Sequence, residues 1–132
     1  MDRSFTTAPT LDEIEAIARE AFDSLPAGFR ALVTDIVYRV DEFPDAETED
    51  EMGLDSPFDL LGLYRGTPIG EKETGAYPAV DMIFLYRRPL LDYWCETEED
   101  LGHLVRHVLI HEIGHHFGLS DGDMERIEDD AG

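Results

Sequence analysis

The chain has 132 residues, with 31 acids against 10 bases and a formal charge of −21. This length bounds it to one compact domain, and the charge gives it a surface that repels phosphate backbones and anionic headgroups, so neither nucleic acid nor a membrane surface is expected as a partner. Hydrophobic residues make up 42% of the sequence, enough for a folded core. The single cysteine, Cys95, excludes an internal disulfide. No stretch resembles a leader's apolar region or the ~20 apolar residues of a membrane helix, so the expected compartment is the cytoplasm. The oligomeric state is open, and a monomer is compatible with the sequence.

In chain order, Thr10 and Glu13 read as a capping box. Leu11, Ile14, Ile17 or Ala18, Ala21, Phe22 and Leu25 then recur at helical spacing, predicting an amphipathic helix over 11–24 that stops at Pro26 and Gly28. Residues 32–40 carry β-branched and aromatic side chains, with Ile36, Tyr38 and Val40 alternating against Val37 and Arg39, and read as a strand. Residues 41–59 hold nine acids and no base, with Pro44, Gly53 and Pro57 interspersed, and read as a solvated acidic loop. The segment lacks the D-x-[DN]-x-[DN]-G spacing of a calcium loop. Residues 60–64 form a second short strand, turning at 65–68, and residues 80–86 a third, ended by Arg87, Arg88 and Pro89. Together these make one small sheet.

The last element is read as a helix over 97–118, with Thr97 as its cap, Asp100 at its third position and Gly118 as a left-handed terminator. Its apolar residues point in nearly every direction, so it is expected to run through the interior. All five histidines lie between 103 and 116. The string from His111 to Asp121 contains H-E-x-x-H followed by x-x-G-x-x-D. His111 and His115 fall one turn apart on one face, where both imidazoles reach a single tetrahedral ion. Glu112 lies close enough to act as general base on a water held by that ion. Gly118 allows the chain to leave the helix and return Asp121 as third ligand. Three protein ligands and one open position form the catalytic pattern for zinc, expected as one ion per chain. Iron, manganese or cobalt also suits such a donor set. A solvated H-E-x-x-H on a surface helix is the alternative, but two histidines and a glutamate within an apolar helix are costly to bury without a metal or strong hydrogen bonds.

The ending HEIGHHFGLSD resembles that of the small bacterial zincin-like metallopeptidases, as do the segment LLGLYRGTPI, the apolar strand ending in LYRRPL and the acidic lead into the helix. The resemblance covers residues 11–124 by element order, with the specific motif confined to the metal helix. It implies an α+β minimal zincin spanning 1–132 as a single domain: an N-terminal helix, a small mixed sheet of three or four strands, and a C-terminal active-site helix. It also implies His111, His115 and Asp121 as metal ligands and Glu112 as the base. The string further resembles the metzincin signature with Asp in place of the last His, although only eleven residues follow Asp121 and leave no room for a separate methionine turn. Met124 is a candidate to lie beneath the site.

Around this centre, His116 is expected as a buried, hydrogen-bonded residue behind the ligands and His107 as a residue lining the cleft, whereas His103 reads as polar surface. Cys95 reads as a small buried hydrophobe rather than a ligand. Glu125 and Glu128 are fallback carboxylates should Asp121 point away. Tyr64, Tyr77, Tyr86 and Tyr93 are unranked candidates to stabilise an oxyanion. The expected activity is zinc-dependent hydrolysis of peptide bonds by a metal-bound water that Glu112 activates. A substrate strand would pair with a sheet edge at 60–64 or 80–86. Two alternatives stand beside it: a zinc-binding module without proteolysis, whose metal serves stability or a partner interface, and an acidic interaction protein whose 41–59 segment docks a basic partner.

Overall fold

A computed structural model describes residues 7–33, 36–65 and 81–131. The order of elements is α1 (Leu11–Asp23), α2 (Ala27–Arg30), β1 (Ile36–Asp41), α3 (Ala46–Met52), a 3-10 turn (Pro57–Asp59), β2 (Gly62–Arg65), β3 (Asp81–Tyr86), α4 (Arg87–Thr97), α5 (Leu101–His116) and α6 (Asp121–Ala131). The class is α+β, with a three-stranded mixed sheet among the described residues. Its order is β1-β3-β2, β1 parallel and β2 antiparallel to β3.

Helix α1 begins with the expected capping box, in which Thr10 Oγ1 accepts from the Glu13 N–H and Glu13 accepts from the Thr10 N–H. Its buried stripe of Ile14, Ile17, Ala18 and Ala21 lies against β1 and α5. The register brings Tyr38, Ile83 and Tyr64 into one row across the sheet and places Gly62 opposite Leu85 in the next. These side chains share the face toward α1 and α5 because side chains alternate along a strand. Gly62 lets the helix approach, since a Cβ there would lie 2.7 Å from Val108 Cγ1 on α5 and 3.0 Å from the Phe84 carbonyl oxygen.

Several expectations are corrected. Residues 41–59 are not one loop. Asp45 accepts from the Thr48 N–H at 2.8 Å, and Gly53 ends α3 at φ +62°. Acids in the first turn favour the positive end of the helix dipole, so a run without bases is no obstacle to a helix. Buried Thr48 and the 2.6 Å Arg65–Glu51 pair hold α3 to the rest of the fold. Arg87, Arg88 and Pro89 end β3 as expected, and the sequence assigns no element to them. They start α4, where Pro89 occupies the first turn and no intrahelical N–H is needed. Thr97 is the last residue of α4 rather than the cap of the metal helix. The cap of α5 is Asp100, whose carboxylate accepts from the His103 N–H at 3.0 Å. The expected turn at 65–68 lies outside the described residues from Gly66 onward. None of the described helices is long and apolar enough to cross a membrane.

Candidate metal centre

Helix α5 is apolar on several sides, and Leu104, Val105, Val108, Leu109, Ile110 and Ile113 are all buried. Its polar residues therefore gather on the remaining stripe. His107 and His111 have ring centroids 4.1 Å apart, and His111 and His115 5.7 Å apart with their planes nearly perpendicular. A Schellman motif closes the helix: the Leu119 N–H donates to the Gly114 carbonyl at 2.9 Å and the Gly118 N–H to the His115 carbonyl at 3.1 Å, with Gly118 at φ +73°. Gly118 is the left-handed terminator expected.

The turn delivers the chain into α6. Ser120 caps it reciprocally with Asp123, the Asp123 N–H donating to Ser120 Oγ at 3.1 Å and the Ser120 N–H to the Asp123 carboxylate at 3.2 Å. Asp121 is the first residue of this helix and is exposed. Met124 is fully buried and lies against Gly114, between the two histidines of the motif in sequence. It does sit under the metal helix, but within a helix and not a turn.

Beside the motif, β2 and α5 run in the same direction, Gly62 at Val108 and Tyr64 near Glu112 and His116. Burial raises the Glu112 pKa above its ordinary value, an effect moderated by the nearby His115 and by the Tyr64 backbone N–H, which hydrogen-bonds the carboxylate. Burial, and then the neighbouring His107, lower the His111 pKa; Glu128 and Asp121 act in the opposite sense. His111 is thereby held toward the neutral imidazole that a metal requires.

Among the described residues, the donor atoms that lie within 4.8 Å of one another as a group of three are those of His107, His111 and Glu128. His107 Nδ1 is 2.5 Å from Glu128 Oε1. Asp121 is not in a group that tight, although its charge acts on His111. Two imidazoles one turn apart with a carboxylate beside them form a donor set that suits zinc, so the residues present fit the ion.

The remaining candidates divide. His116 is exposed, its ring 4.3 Å from that of Tyr64, and is not the buried residue expected. His107 lines a cavity of about 520 Å³ with Tyr93, His103 and Glu128, and the residues of the H-E-x-x-H motif are not in its lining. Cys95 is exposed on α4 and not a buried hydrophobe. Glu125 is exposed. Tyr86 is buried in the sheet, Tyr93 is exposed, and Tyr77 lies outside the described residues. Sequence reading treated Glu128 only as a fallback. Its signal is the spacing from Met124, since a residue four positions after a buried methionine faces the same neighbour. The backbone N–H of Tyr64 carries no sequence signal.

Residues 33–131 match the family described as zincin-like metallopeptidase. A search of curated proteins finds no match to the chain.

Proposed function

Since the chain belongs to the zincin-like metallopeptidase family, we propose that it is a zinc-dependent peptidase with Glu112 as its general base and His111, His115 and Asp121 as its metal ligands. The observation that carries this reading is the environment of Glu112: a half-buried carboxylate beside His115, hydrogen-bonded by Tyr64 and more basic than an exposed glutamate. When bound, zinc supplies a Lewis acid for the scissile carbonyl and an acidified water at neutral pH.

Glu112 takes the proton of the attacking water and returns it to the leaving amine. The Tyr64 N–H orients the carboxylate and, by stabilising its charged form, opposes the rise in pKa that burial causes. Among the described residues β2 borders only β3, while β3 lies between β1 and β2. The 80–86 strand is therefore central and is corrected as a candidate edge. The edge of β2, next to Glu112, is where an extended peptide would add as a strand. The charge of −21 favours neutral or basic peptides.

The test is elemental mass spectrometry on chelator-free protein beside Asp121→Ala and Glu112→Gln variants, with turnover on a diverse peptide pool. The expected result is one zinc per chain, reduced in Asp121→Ala and retained in Glu112→Gln. Turnover should fall about 100-fold or more in Glu112→Gln. Metal without turnover in the unaltered chain would replace the peptidase with a zinc-binding module.

A further inference from the structure

We propose that His107, His111 and Glu128 form a second site for a divalent transition-metal ion, overlapping the first through His111 and displaced one helical turn toward the start of α5. His107 and His111 repeat the i, i+4 spacing of His111 and His115, and their rings are closer, at 4.1 Å against 5.7 Å. The third donor comes from a different element. Glu128 lies on α6, one turn beyond Met124, which is fully buried against Gly114, so the packing that joins the two helices also fixes where this carboxylate points.

Nitrogen and oxygen donors about 2.0–2.1 Å from a tetrahedral ion stand roughly 3.3–3.4 Å from each other. The three donors lie within 4.8 Å of one another; His107 Nδ1 and Glu128 Oε1, now 2.5 Å apart in a hydrogen bond, open to the ligand spacing when the exposed His107 ring turns. The cavity beside His107 leaves room for water at the open position. Two imidazoles and one carboxylate favour zinc, cobalt or copper over magnesium or calcium, which prefer all-oxygen sites.

Because His111 belongs to both donor sets, an ion held by His107 and Glu128 draws His111 from His115 and opposes binding at the H-E-x-x-H site. The inference shares His111 with the peptidase reading but takes His107 and Glu128 as ligands of its own, so the two are tested separately.

Cobalt(II) titration of chelator-treated protein, followed by visible absorption, tests it in two variants. His115→Ala/Asp121→Ala removes the first site, and His107→Ala/Glu128→Gln removes the second. The replaced side chains are exposed or half-exposed, and circular dichroism checks that both variants fold. The expected result is one cobalt per chain in His115→Ala/Asp121→Ala, with affinity falling about 10-fold or more on adding either His107→Ala or Glu128→Gln. Absence of cobalt binding in that variant, or binding unaffected by both additions, overturns the second site. Cobalt binding by His107→Ala/Glu128→Gln reports on the first site alone, so the failure of either proposal is visible without the other.

Discussion

Met124 fills the space that a side chain at Gly114 would occupy. A Cβ at position 114 would lie 2.6 Å from Met124 Sδ and 3.0 Å from its Cγ. The glycine within H-E-I-G-H thus serves the contact between α5 and α6, and through it the placement of Asp121 and Glu128.

Gly114→Ala is therefore expected to destabilise the fold by about 1–3 kcal/mol through overpacking, and Met124→Ala by about 2–5 kcal/mol through the cavity it leaves. The double variant should lose less than the sum, because each change relieves the other's defect. Urea unfolding of the four proteins measures the coupling. Strict additivity would mean that the two residues are not in contact.

Gly62 is held from two sides, by the Val108 side chain and by the Phe84 backbone. Backbone cannot rotate away, so Gly62→Ala should push β2 off α5 and pull the Tyr64 N–H from Glu112. We expect lower thermal stability together with a loss of turnover larger than the loss of bound metal. Equal losses of both would mean that β2 only supports the fold.

The raised pKa of Glu112 sets a sign in pH dependence. Below the unfolded value, ordinarily 4.5, the carboxyl is neutral in both states and costs nothing. As pH rises through the higher folded value, the buried charge must be carried and stability falls. In metal-free protein Glu112→Gln should thus match the unaltered chain in acid and melt at a higher temperature at neutral pH. Thermal melts across that range check it, and a lower melting temperature at pH 7 would contradict the burial argument.

Tyr38 and Tyr86 are buried, and burial pushes both hydroxyls up to about 12 from an ordinary 10.0. Unfolded chains release these protons first, so stability is intact below about pH 10 and declines as pH rises toward 12. Ultraviolet titration should show two tyrosines ionising late. Tyr38→Phe and Tyr86→Phe should each flatten the alkaline decline; an unchanged profile in both would place its origin elsewhere.

Much of the local structure is legible in sequence because its causes are local. Thr10 and Glu13 cap α1 across three residues, and Gly118 takes the left-handed conformation that a helix terminator needs. The spacing of His111 and His115 puts them on one face of any α-helix. Other elements are ambiguous in sequence where local composition has two meanings. Acids between 41 and 59 suit a solvated loop and the first turn of a capped helix equally, and Asp45 and Gly53 decide for α3 at its ends. Residues 87–96 carry no assignment in sequence, and they form α4 because Pro89 breaks a helix interior but not a first turn.

The sequence alone determines the donor types and their spacing along one helix, because 3.6 residues per turn fixes which side chains share a face. It does not determine which residues from other elements meet that face. The tertiary structure decides that β3 is the central strand, that the Tyr64 N–H reaches Glu112, and that Met124 docks on Gly114 and brings Glu128 to His107. These contacts arise from burying apolar surface between elements distant in the chain, and no local repeat encodes such packing.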